Sequence, residues 1–150
     1  MLEINLPPYD IKLYRKNDRT VIYDFLRRRN VVLTPEEWVR QHFTHYLVEQ
    51  KGYPSALMMN EVTLDINGMR KRCDTVLYDR TAARPRMIME YKAPDVPVTQ
   101  AVFDQISSYN SVLRVDYLIV SNGLTHYACK VAQDGLTYEF LTAIPDYGDL

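Results

Sequence analysis

Cysteine is scarce: Cys73 and Cys129 are the only two in 150 residues. So sparse a supply excludes a disulfide-built scaffold and fits a reducing compartment. The opening stretch, MLEINLPPYD, lacks the basic start and apolar run of a secretory signal. No apolar run approaches the roughly 20 residues of a membrane span. The chain is therefore expected to be cytoplasmic, with no membrane partner. An excess of one charge is missing too. The formal net charge is −1 and the isoelectric point about 6.3, whereas a dedicated nucleic-acid binder is usually basic. Bulk charge gives no support for such a partner, so any nucleic acid would have to meet local patches. Two exist: Arg27-Arg28-Arg29, and Arg70-Lys71-Arg72, the second being the candidate nucleic-acid-binding set. Internal repeats and low-complexity stretches are absent.

What is present is the make-up of a folded protein. The chain is 47% hydrophobic with twelve tyrosines, which excludes disorder, and its length suits one domain. It reads as a single domain over 1–150, with 1–32 as an N-terminal extension to the core. Pro7 and Pro8 keep the first ten residues extended. Short strands are expected around Ile11–Tyr14 and Thr20–Tyr23.

The first strong element is a helix from Thr34 to about Lys51. Thr34 is a good N-cap, Pro35 fits the first helical position, Glu37 completes a capping box, and Gly52 ends the helix. Trp38, Val39, Phe43, Tyr46 and Leu47 share a face. Leu57–Ile66 and Met69–Tyr78 read as strands around Asn67-Gly68, a strong hairpin signal. Arg86–Ala93 is a further strand, broken by Pro94 and Pro97. A helix follows over Thr99–Leu113, then strands over Tyr117–Val120, Thr125–Val131 and Thr137–Leu141. This mixture excludes a helical bundle and an all-β sandwich.

Chemistry concentrates at Glu90-Tyr91-Lys92. Within a strand, Glu90 and Lys92 point to one face and Tyr91 to the other. Met87, Ile88 and Met89 mark the strand as interior, where charges are costly unless paired or used. An ordinary strand-end ion pair would also explain them. Asp74, in the preceding strand, changes the balance. Two adjacent strands can set Asp74 beside Glu90, and like charges that close repel unless a cation lies between them. Hard oxygen ligands suit magnesium. Lys92 would then hold the attacking water or a phosphate oxygen, a kit for phosphodiester hydrolysis. The competing reading pairs Asp74 with Arg72 or Arg70 across the hairpin.

Three more residues are candidates. Helical geometry puts Glu36 near the side of Val39, Phe43 and Leu47 and turns Glu37 away. Glu36 is thus either a further metal ligand or simply a favourable charge at a helix N-terminus. Gln105 and Tyr109 stand four apart on the second helix and share a face. They could contact phosphates or orient Lys92, or be a surface glutamine above a half-buried ring. His42 with His45, and His126 with Cys129, lack zinc-finger spacing and read as structural or exposed.

Asp74, Glu90-Tyr91-Lys92, and Gln105 with Tyr109 resemble the PD-(D/E)XK nuclease superfamily, the last pair resembling the Q-x-x-x-Y motif of its RecB-like branch. Further stretches are similar to small proteins related to the type I restriction enzyme R-subunit N-terminal domain. These are Leu33-Thr34-Pro35-Glu36-Glu37-Trp38-Val39-Arg40-Gln41, Lys71-Arg72-Cys73-Asp74, Glu90-Tyr91-Lys92-Ala93-Pro94, Tyr109-Asn110 and Ser121-Asn122-Gly123. The resemblance covers nearly the whole chain. It implies an α/β, restriction-endonuclease-like core, with a central mixed sheet flanked by helices in αβββαβ order. It also implies magnesium-dependent DNA cleavage, with manganese as a substitute. Asp74, Glu90 and Glu36 would hold the metal, and Lys92, Gln105 and Tyr109 would complete the catalytic set. Cys73 stands where the superfamily motif has proline.

No helicase or translocase motor follows the core, so protein partners are expected to supply specificity or translocation. A homodimer is also expected, C2 pairs being the commonest oligomers. The leading reading is a DNA endonuclease or nuclease subunit in a restriction, defence or DNA-processing context. The alternative is a catalytically silent nucleic-acid-binding or structural subunit of a larger assembly.

Overall fold

The structure, a computed structural model, describes residues 2–150 except Asn67, Ala82 and Leu136; for Ile66, Met69 and 107–113 it describes the backbone. The chain first forms an antiparallel three-stranded sheet: β1 (Leu13–Lys16), β2 (Arg19–Asp24) and β3 (Arg29–Val32). Asn17 (φ 51°) and Asp18 (φ 62°) join β1 to β2. Positive φ at both positions is what a two-residue hairpin turn needs. β3 was not expected, because Arg29-Asn30 reads locally as loop. Pairing with β2 supplies what the local sequence lacks.

Helix α1 spans Pro35–Gln50, and the Thr34 hydroxyl accepts the Glu37 N–H at 3.0 Å. The expected capping box is only half formed. The Glu37 carboxylate turns to Arg27, Arg40 and Gln41 instead of back to Thr34, because charge-assisted partners are stronger. Gly52, at φ 74°, follows the helix, and the Tyr53 N–H turns back to the Leu47 carbonyl. Thr34→Ala should cost about 1 kcal/mol. A lower urea midpoint with an unchanged slope would register it.

A six-stranded sheet follows: β4 (Met58–Ile66), β5 (Met69–Tyr78), β6 (Pro85–Tyr91), then α2 (Gln100–Leu113), β7 (Tyr117–Ser121), β8 (His126–Val131) and β9 (Tyr138–Phe140). The strands lie in sequence order. All neighbours are antiparallel except β6 and β7, which run parallel and so need the α2 crossover. The β4–β5 hairpin pairs Ile66 with Met69, as the Asn-Gly signal predicts. Asn67 itself lies outside the described residues.

The two helices cover opposite faces of this sheet. Val39, Phe43 and Leu47 of α1 pack on Leu77, Met87, Met89 and Ile119. Phe103 and Ile106 of α2 pack on Val76, Ile88, Leu118 and Val120. Buried on both faces, β6 and β7 carry near-continuous apolar runs. The architecture is mixed α/β, consistent with a restriction-endonuclease-like fold. Among the described residues, no helix is long and apolar enough to cross a membrane.

One irregularity bears on the site. Glu61 sits inside β4 with φ 56°, a left-handed conformation that is strained for a residue with a side chain. The ladder passes from Asn60–Thr75 to Val62–Cys73 around it. The β5 residue at that step is Asp74.

Candidate metal centre

Antiparallel pairing of β5 with β6 brings Asp74 to the end of β6. Its Oδ2 accepts the Tyr91 N–H at 2.8 Å. The neighbouring Glu90 is half-buried, and its buried Oε1 has no hydrogen-bond partner. Burial, then the adjacent Asp74, push the Glu90 carboxyl up to about 8, against a smaller opposing pull from Lys71 and Lys92. β6 ends at Tyr91, shorter than expected, but the Lys92 N–H still bonds the Ser121 carbonyl at 2.9 Å. Glu90 and Lys92 line one cavity of about 50 Å³ with Lys71, Val102, Gln105 and Ile106. Tyr91, as alternation requires, turns to the α1 side and packs in that core.

The Glu90 shift has a definite sign. A carboxyl whose folded pKa is raised favours the fold while protonated. That contribution is whole below the unfolded value of 4.5 and is lost as pH rises through about 8. The metal-free protein should therefore lose stability, on the order of a few kcal/mol, between pH 5 and pH 9. Glu90→Gln should flatten that profile. A pH series of melting temperatures in a chelating buffer checks this.

On the other side of Asp74 stands Arg40. Its Nη2 lies 3.6 Å from Asp74 Oδ1 and hydrogen-bonds Glu61, while its Nε lies 3.6 Å from Glu37 Oε2. Glu37 also accepts from Arg27 at 2.6 Å and from Gln41 at 3.1 Å. Arg27 pairs with the fully buried Asp24. Asp24 accepts from Asn60 at 3.0 Å, and Asn60 accepts from the Thr75 hydroxyl at 2.7 Å. A largely buried polar chain thus runs from the N-terminal sheet, through α1, to β4 and to β5, which carries Asp74. The pairing of Asp74 with Arg72 or Arg70 is not what forms. Arg72 goes to Glu61, Arg70 is exposed, and only Lys71 of that triplet lines the cavity.

The placement of Glu36 needs correction: it is exposed, and Glu37 is the buried carboxylate, 7% accessible. Helical periodicity assumed a helix covered on one side. Every residue from Glu37 to Thr44 is buried, because the N-terminal segment covers the second side. That segment brings Arg27 onto Glu37 and the Leu2 carbonyl onto Trp38. No group of three or more His, Cys, Asp or Glu side chains among the described residues is arranged to hold a metal; Asp74 and Glu90 are a pair of carboxylates close enough to repel. The Tyr109 side chain lies outside the described residues.

Glu37, Arg40 and Glu61 went unrecognised in the sequence. The Glu37–Arg40 spacing, three apart on a helix, is the only local sign of them. Two of the histidines are tied to the backbone. His42 Nδ1 is 2.8 Å from the Trp38 carbonyl, and His126 bridges Ser121 and the Asn5 carbonyl.

Ser121-Asn122-Gly123 also acquires a role. Asn122 Oδ1 accepts the Leu124 and Thr125 N–H groups, and its Nδ2 holds the Val96 carbonyl at 2.9 Å. This pins the loop that follows Lys92. Gly123, at φ 85°, leaves no room for a side chain, since a Cβ would meet Ile4 at 2.8 Å.

Residues 35–145 match the family described as Type I restriction enzyme R protein N terminus (HSDR_N). No curated protein and no solved structure matches the chain. Strands β1–β3 lie outside the matched stretch.

Proposed function

The chain belongs to the type I restriction enzyme R protein N-terminus family, and from that premise we propose that it is a divalent-metal-dependent DNA nuclease, or a nuclease subunit, with a PD-(D/E)XK site formed by Asp74, Glu90 and Lys92. The observation that carries this reading is Glu90: a half-buried carboxylate with one buried, unsatisfied oxygen, set against a second carboxylate and beside a lysine. Alone, that arrangement is electrostatically costly. Two carboxylates are the hard oxygen donors that magnesium or manganese prefers, so the residues fit such an ion. Bound by Asp74 and Glu90, it would supply Lewis acidity toward the scissile phosphodiester.

The remaining work falls to side chains. Lys92 Nζ donates to a non-bridging phosphate oxygen or positions the attacking water. It carries positive charge to where negative charge develops. Gln105, on the same cavity, orients the phosphate or Lys92. Lys71 adds a cation to the cavity wall. The Tyr91 N–H fixes the Asp74 carboxylate so that it needs no reorientation. Arg40 balances Asp74 and Glu61 from behind. Because the family is that of an R-subunit N terminus, we propose that further subunits choose the target.

Supercoiled, linear, branched and single-stranded DNA should be incubated with and without magnesium or manganese. Cleavage that requires the ion is expected on at least one form. Calorimetric titration with manganese should show binding by the wild type and its loss in Asp74→Ala. Equal binding by that variant would remove Asp74 from the site. No cleavage on any form would favour the silent-module alternative.

A further inference from the structure

We infer that the outer face of the N-terminal sheet is a binding surface for single-stranded DNA. Strand register defines this face. Tyr14 lies opposite Val21, which lies opposite Val32, and Lys16 lies opposite Arg19. The Tyr23 N–H bonds the Lys12 carbonyl, extending the ladder, and Tyr23 lies opposite Asn30. By alternation, Lys12, Tyr14, Lys16, Arg19, Tyr23 and Asn30 share the face. All six are exposed, Tyr14 by 50% and Tyr23 by 38%. The opposite face carries Ile22 and Asp24, both fully buried.

Charge identifies the occupant. Residues 12–32 hold seven cations and two carboxylates, a net +5 in a chain whose total is −1, and three of those cations, Lys12, Lys16 and Arg19, lie on the outer face. Of those two carboxylates, Asp24 points inward to its hydrogen-bond partners and Asp18 lies in the turn. No strand position on the outer face is acidic, and among the described residues no ion pair engages Lys12, Lys16 or Arg19. The face also holds a shallow concavity of about 460 Å³, lined by Lys16, Asn17, Arg19, Val21, Asn30 and Val32. An apolar floor with a cationic rim suits a phosphate backbone with its bases turned inward.

The tyrosines choose the strand form. In a duplex, base faces are stacked and closed to side chains. In a single strand they can stack on exposed aromatic rings. Tyr14 and Tyr23 are diagonal neighbours on adjacent strands, about 7–8 Å apart by sheet geometry, within the reach of consecutive unstacked nucleotides.

The choice of DNA over another polyanion rests on the nuclease reading. The test is nevertheless one of binding, so its failure is separate from a failure to cleave. The full chain is titrated against a fluorescein-labelled oligothymidylate in chelating buffer, over a series of salt concentrations, and followed by anisotropy. Three phosphate contacts predict a log–log salt slope of about −2 for a single strand. Lys12→Gln/Lys16→Gln/Arg19→Gln should abolish most of that slope. Tyr14→Leu/Tyr23→Leu should weaken binding at least tenfold, and Tyr14→Phe/Tyr23→Phe should restore it. All these sites are exposed, so melting temperatures should not move. Wild-type affinity in the glutamine and leucine variants would overturn the inference. So would a duplex of equal length that binds more tightly and is indifferent to the tyrosines. A wild-type dimer that the same substitutions render monomeric would instead make this face a protein interface, and would overturn it too.

Discussion

Lys92→Ala should reduce metal-dependent DNA cleavage by about a hundredfold or more, the scale seen when one preorganised electrostatic group is lost, while leaving the melting temperature nearly unchanged. The stability half of this expectation comes from the structure. Among the described residues, no ion pair joins Glu90 to Lys92. What Lys92 contributes to the fold is its backbone N–H, bonded to Ser121, and alanine keeps that group. Had the two charges formed a buried strand-end pair, removing the lysine would strand a carboxylate at a cost of about 3–5 kcal/mol. Measuring melting temperature and cleavage on one variant separates the two roles. A large loss of stability, with no metal-dependent cleavage by the wild type, would return Lys92 to a structural part.

Arg40→Ala should lower folding stability by about 3–5 kcal/mol, the cost of breaking a buried ion cluster from one side. Arg40 is 4% accessible and lies among Glu37, Glu61 and Asp74. Without it, three carboxylates are left close together with too little positive charge between them. Glu61 keeps Arg72 and Glu37 keeps Arg27, but Asp74 loses its only ion-pair partner among the described residues. Urea unfolding measures the loss. Adding Glu61→Gln should return part of it, because one of the repelling charges is then gone. That non-additivity marks a shared network, whereas strictly additive losses would mean that Arg40 and Glu61 act independently. Manganese should stabilise Arg40→Ala more than it stabilises the wild type, since the ion then supplies the missing positive charge beside Asp74.

The sequence by itself determined most of the sequential elements, β3 excepted, because their signals are local. The Thr34-Pro35 start, the Gly52 stop and the Asn67-Gly68 hairpin each depend on neighbours within a few residues. So does the placing of Glu90, in β6, and Lys92, just past its end, on one side of the sheet, which follows from alternation alone. The pairing of Asp74 with Glu90 needed one further inference, that consecutive strands lie side by side.

Only the tertiary structure decided which helix carboxylate is buried. Periodicity sees one apolar stripe and assigns the rest of the helix to solvent. Here residues outside the helix, Asp24 and Arg27, lie over the second side of α1 and turn Glu37 inward. The roles of Arg40 and Glu61 were hidden for the same reason. Each depends on partners in several elements at once, and the strained backbone of Glu61 is held by packing and ion pairs that no local pattern encodes.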